Sequence, residues 1–137
     1  MNMNDIEKIH KASLCHYKTD RTHPCVNFTF AVLAQAYPEK FKHIAEQIKT
    51  VEWGQSNNQR NGAHISKMFR KYFDLFGFYP VSEPQNFDFC LINSMGGLRG
   101  DHCGFYLNGE IIHIDPKTCG LMVDPLNLVD VVLFGRK

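Results

Sequence analysis

Residues 102–115 read His102-Cys103-Gly104-Phe105-Tyr106-Leu107-Asn108-Gly109-Glu110-Ile111-Ile112-His113-Ile114-Asp115. Two alternating runs flank Asn108-Gly109, the pair that favours a two-residue type I′ turn because both central positions need φ > 0. The stretch is therefore expected to form a β-hairpin in which Leu107 faces Glu110 and His102 faces Asp115. Strand side chains alternate between faces. One face should carry Cys103, Phe105, Leu107, Ile112 and Ile114, and the other His102, Gly104, Tyr106, Ile111, His113 and Asp115. Two imidazoles and a carboxylate on one face, within cross-strand reach, are a base with its orienting groups.

The upstream sequence offers a nucleophile. In Thr22-His23-Pro24-Cys25-Val26-Asn27-Phe28, Thr22 suits an N-cap and Pro24 suits only a first helical turn, where its missing N–H costs nothing. Phe28, Val32 and Leu33 continue at helical spacing until Pro38. Cys25 then lies among the unpaired N–H groups of a helix start, which favour a thiolate. Gly104, beside His102, should let that helix approach the hairpin closely. A first-turn Cys with a downstream His pair suits thiol acyl transfer, with Cys25 attacking, His102 as base, and His113 or Asp115 orienting it. Tyr17 and Tyr106 are candidates to line a substrate cleft, with plain packing as the alternative.

Before the hairpin, Asn4 suits the cap of a short helix through Ile6, Ile9 and His10. Pro38 opens another helix, with Phe41, Ile44, Ile48 and Val51 as its apolar stripe. A polar loop over 54–62 precedes a third helix carrying Ile65, Met68, Phe69, Tyr72, Phe73 and Phe76, with Gly77 near its end. Pro80 and Pro84 break the chain before a strand at Phe87 to Ile92, and 121–123 and 131–134 read as strands. Helices first and strands second, without repeats or a linker, predict one α+β domain over 1–137.

The chain has 137 residues, 44% of them hydrophobic and 21% charged, enough for one core. A net charge of +1 leaves no footprint for nucleic acid, and Gly135-Arg136-Lys137 reads as a solvated basic end. No apolar run approaches the ~20 residues of a membrane span. The N-terminus lacks an apolar signal core, so synthesis in the cytoplasm without a signal peptide is expected. Five cysteines are expected as free thiols. Zinc is a weak competitor: Cys90, His102, Cys103, His113 and Cys119 are suitable ligand types, but no Cys-x-x-Cys or His-x-x-x-His pair exists. No metal or other cofactor is expected.

The order of a Cys-bearing helix, a strand, His-Cys-Gly-Phe-Tyr-Leu, Asn-Gly-Glu-Ile-Ile-His and closing strands resembles the NlpC-type cell-wall cysteine peptidases, a compact papain-like group. The resemblance covers about residues 17–137 and is densest over 88–115. It implies a papain-like domain in which the nucleophile helix packs on an antiparallel sheet. Cys25 resembles the family's nucleophile, His102 its base and His113 the third polar residue. The implied activity is hydrolysis of amide bonds in peptidoglycan stem peptides. Where the family usually has Asp-Cys-Ser-Gly, this chain has Pro24-Cys25-Val26-Asn27, so the usual specificity does not transfer. Single-domain relatives of this kind occur in phage tails and among injected toxins, which implies a phage-tail or secretion-machinery partner and a place in the virion or the periplasm. The alternatives are a non-catalytic assembly module that keeps the fold, and a thiol acyltransferase.

Overall fold

The computed structural model describes residues 1–12, 24–48, 71, 73–93, 102–115 and 118–137. Among the described residues, three α-helices and the end of a further helical stretch precede a six-stranded sheet. The helices are α1 (Met3–Ala12), α2 (Pro24–Ala36) and α3 (Pro38–Ile48). The strands are β1 (Tyr79–Val81), β2 (Phe89–Ile92), β3 (His102–Leu107), β4 (Glu110–Ile114), β5 (Leu121–Pro125) and β6 (Val131–Arg136). Their order in the sheet is β1-β6-β2-β3-β4-β5, and every neighbouring pair is antiparallel. The domain is α+β, and none of its described helices is long and apolar enough to cross a membrane.

Local chemistry sets the helix ends. Asn2, rather than the expected Asn4, caps α1: Asp5 N–H donates to Asn2 Oδ1 and Asn2 N–H donates to Asp5 Oδ2, both at 3.0 Å. This reciprocal box satisfies two backbone donors at once. Asn4 lies inside the first turn. Pro24 and Pro38 stand at the first positions of α2 and α3, where proline fits. A helical stretch ends at Leu75, and Gly77 at φ 80° follows it. Phe78 N–H reaches Phe73 O, and Gly77 N–H reaches Asp74 O, the paired bonds of a glycine-terminated helix. Thr22, Val51 and the stretch 54–70 lie outside the described residues.

α2 is apolar around most of its circumference and sits centrally, between the sheet, α1 and α3. Phe28, Val32 and Leu33 are buried there with Phe105, Leu107, Ile112 and Ile114 of the hairpin. Phe30 extends this core through ring contacts with Phe41, Phe78 and Phe89. The opposite face of the sheet carries a smaller cluster of Cys90, Ile92 and Ile111, backed by Leu126, Val129, Val131 and Phe134.

The hairpin has the expected register. Leu107 pairs with Glu110, Tyr106 with Ile111 and Phe105 with Ile112, while Asn108 and Gly109 adopt φ 49° and 83°. Two other expectations change. Pro80 does not break the chain but lies inside the three-residue edge strand β1, a position where its missing donor is harmless. Arg136 is not a solvated end: it lies in β6 and grips Asp88, its Nε and one Nη meeting the two carboxylate oxygens at 2.9 and 2.7 Å. Asp88 is buried and also accepts from Gln85 N–H at 2.7 Å.

Candidate active site

The first residue of β3, His102, pairs across the sheet with Ile92 of β2. Between Leu91 and Ile92 the register with β6 slips by one residue, a bulge that bends this end of the sheet. On β4, His113 pairs with Met122 of β5, and Ile111 pairs with Asp124. Alternation then sets His102, His113 and Asp124 on one face, each diagonal to the next.

They form a continuous hydrogen-bonded file. His102 Nε2 lies 2.9 Å from His113 Nδ1, and His113 Nε2 lies 2.7 Å from Asp124 Oδ2. The two rings meet edge-on, at 78°. With Asp124 ionised and both rings neutral, the file admits one set of tautomers. An ionised carboxylate only accepts, so His113 Nε2–H donates to Asp124. With one proton on the ring, His113 Nδ1 accepts, and His102 Nε2–H donates to it. His102 Nδ1 is left as the bare lone pair. That atom is buried and has no hydrogen-bond partner among the described residues, in a residue only 4% exposed. An imidazole lone pair held in position through its other nitrogen can accept a proton.

The sequence places two members of this file correctly and misses the third. His102 and His113 meet as expected. Asp115, directly opposite His102 in the hairpin, is not the hydrogen-bond partner of its ring; Asp115 N–H instead donates to Gly120 O, and Asp115 O accepts from Cys119 N–H. The carboxylate of the file comes from Asp124, on a strand whose pairing the sequence pattern did not specify. The usable signal was the alternation in Leu121-Met122-Val123-Asp124, which puts Asp124 on the His113 face once β5 is paired with β4. Tyr106 is half-buried on that face, edge-on to Phe134 at 6.2 Å. Tyr17 lies outside the described residues.

Cys25 stands in the first turn of α2, as expected, but its surroundings differ from the expectation. Its sulfur lies 3.6 Å from the sulfur of Cys103, and it is 1% exposed. Cys103 also reaches Thr29 Oγ1 at 3.8 Å. Helix α2 therefore packs on the Cys103 face, and the neighbouring His102 ring points to the other side of the sheet. Gly104 consequently does not make room for the helix. A Cβ there would strike Ile112 O and lie 2.9 Å from His113 Cβ, so the glycine lets β3 and β4 close tightly beneath the histidines. Cys25 and His102 are neighbours through Cys103 rather than hydrogen-bonded partners.

Cys90 shares the face of the file, paired in register with Gly104. It is fully buried, and burial pushes its thiol pKa far up, which makes it a poor nucleophile. Cys25, Cys90 and Cys103 are not disulfide-bonded. Cys119 is disulfide-bonded, which corrects the expectation of free thiols throughout. Its carbonyl also accepts a 2.7 Å hydrogen bond from His10 Nε2, tying α1 to the segment after β4. Among the described residues no group of three or more His, Cys, Asp or Glu is arranged to hold a metal ion, and Cys103 lies on the face opposite His102.

No family model matches the sequence. No curated protein and no solved structure is significantly similar to it. The chemistry of the site thus rests on its own geometry, a file of His102, His113 and Asp124 on one face of the sheet and a helix-start thiol against the other.

Proposed function

We propose that the protein is a cysteine hydrolase of amide bonds, with Cys25 as nucleophile, His102 as general base and His113 as the group that orients it. The observation that carries this reading is the buried Nδ1 of His102, without a hydrogen-bond partner among the described residues, at the end of a file that holds its ring. A thiol is a weak nucleophile until a base takes its proton. Cys25 touches Cys103, the residue next to His102, and His102 is the first residue of β3, so the reading requires its ring or the start of α2 to turn at this end of the sheet for Nδ1 and the Cys25 sulfur, now on opposite faces, to meet. In the reaction the Cys25 sulfur attacks the carbonyl carbon, and His102 Nδ1 takes the thiol proton and returns it to the leaving amine. Water then attacks the thioester, with the same nitrogen as base. Backbone N–H groups at the start of α2 are suited to hold the oxyanion.

The substrate class follows from the resemblance to NlpC-type peptidases: stem peptides of peptidoglycan. The disulfide at Cys119 suits action outside a reducing cytosol, in the periplasm or on a virion. Purified muropeptides, digested with the protein and analysed by mass spectrometry, test the proposal. Cleavage should disappear in Cys25→Ala and in His102→Ala while circular dichroism stays unchanged. Full cleavage by either variant refutes the mechanism. A second reading, a non-catalytic module that keeps the fold, is favoured by the 1% exposure of Cys25. It expects no cleavage by the unmodified protein.

A further inference from the structure

We propose that Cys25 and Cys103 form an oxidisable dithiol, a modification site at which peroxide converts the nucleophile into an intramolecular disulfide. The inference rests on the reading of Cys25 as nucleophile for its regulatory meaning, but the chemistry of the pair stands on geometry alone. The two sulfurs lie 3.6 Å apart, at van der Waals contact. A disulfide needs about 2.05 Å, so the atoms must approach by roughly 1.6 Å. One thiol sits at the mobile end of a side chain in the first turn of α2, where χ1 rotation moves it, and the other on β3. Cys103 also reaches Thr29 Oγ1, at 3.8 Å, and both cysteine side chains are buried in the same core. Cys90 is excluded from the pair, because it lies on the other face of the sheet with Ile92 and Ile111.

The reaction balances with hydrogen peroxide as the oxidant. The Cys25 thiolate attacks one peroxide oxygen. An S–O bond forms, the O–O bond breaks, and hydroxide leaves as water after gaining a proton. Cys25 is now a sulfenic acid. The Cys103 sulfur, giving up its proton, attacks the sulfenic sulfur. An S–S bond forms, the S–O bond breaks, and a second water leaves. The sum is two thiols and one peroxide giving one disulfide and two waters. Near-complete burial of Cys25 restricts the oxidant to small molecules. The resolving thiol intercepts the sulfenic acid before it advances to the irreversible sulfinic and sulfonic acids.

The test uses the full chain treated with stoichiometric hydrogen peroxide, blocked with iodoacetamide and digested with trypsin without reduction. Cleavage at Lys and Arg separates peptide 22–40, holding Cys25, from 100–117, holding Cys103, and leaves Cys90 and Cys119 on other peptides. A cross-linked 22–40/100–117 species is expected, with Cys90 still a thiol. Recovery of Cys25 and Cys103 as unlinked thiols, or of Cys25 as sulfinic or sulfonic acid, overturns the proposal. In Cys103→Ala, and in Cys103→Ser should the alanine variant fold poorly, a dimedone adduct should accumulate on Cys25. Absence of that adduct in both counts against Cys25 as the first atom oxidised. Muropeptide cleavage is followed in parallel, and its peroxide-induced loss should be restored by dithiothreitol, with unoxidised protein given the same reductant as control. If the untreated protein never cleaves, the hydrolase reading fails, while the cross-link is still judged by its mass.

Discussion

Replacing Gly104 with alanine separates the packing of the file from its chemistry. A Cβ at this position would strike the carbonyl oxygen of Ile112 and lie 2.9 Å from His113 Cβ. Backbone oxygen cannot step aside, so β4 must move. Overpacking of this kind costs about 1–3 kcal/mol, offset by roughly 0.5–1 kcal/mol from the lower entropy of an unfolded chain with alanine. Because the obstacle is backbone, the upper half of that range applies, and a net loss of about 1–2.5 kcal/mol lowers the melting temperature by roughly 4–10 °C, taking ~4 °C per kcal/mol for a domain of this size. Because the displaced strand carries His113, the His102–His113 hydrogen bond of 2.9 Å should lengthen and muropeptide cleavage should fall by more than the unfolded fraction explains. Gly109→Ala is the control: at φ 83° it is strained, but nothing lies within 4 Å of its new Cβ, so it should lower stability and spare turnover. Calorimetry and cleavage assays on both variants decide the matter. An unchanged or raised melting temperature in Gly104→Ala refutes the reasoning.

Three further outcomes are expected. Asp124→Asn should lower kcat with little change in KM, because Asn can present an N–H to His113 and reverse the tautomers along the file, and it should cost more activity than Asp115→Ala; the opposite ranking returns the orienting role to Asp115. Burial raises the Cys90 thiol pKa, so the folded state holds this proton while the unfolded chain releases it above pH about 9. Stability should therefore fall faster with pH above that value in the unmodified protein than in Cys90→Ala, by up to about 1.4 kcal/mol per pH unit, as read from urea midpoints at pH 8 to 10.5; equal slopes refute it. Asp88→Ala should lower the urea midpoint without changing the m-value, since it strips Arg136 and Gln85 N–H of their acceptor; an unchanged midpoint would show the ion pair to be energetically silent.

The hairpin was legible because its signals are local. Asn108-Gly109 fixes the turn, the turn fixes the register, and the register puts His102 and His113 on one face without any tertiary knowledge. Pro24 and Pro38 likewise mark α2 and α3 by their own stereochemistry. What the residues could not give was which face of the hairpin meets the helix. Both faces carry apolar side chains, Ile111 on one and Phe105, Leu107, Ile112 and Ile114 on the other, and the larger set took the helix. That choice turned Gly104 away from α2 and Cys25 toward Cys103. Asp124 escaped notice for the same reason: its pairing with β4 is a contact between strands separated by a loop, which no short pattern encodes. The Asp88–Arg136 pair spans 48 residues of sequence and was equally invisible.

The file of His102, His113 and Asp124 also has a direction. Asp124 is 34% exposed at its side chain and His113 12%, while the far nitrogen of His102 is sealed from solvent. Each imidazole can accept a proton at one nitrogen and release one from the other, so charge can move along the row without any atom leaving its place. Among the described residues, two rings and a carboxylate thus link the innermost nitrogen to the solvent-facing end of the row. Removing the middle ring would cut that link at both of its hydrogen bonds.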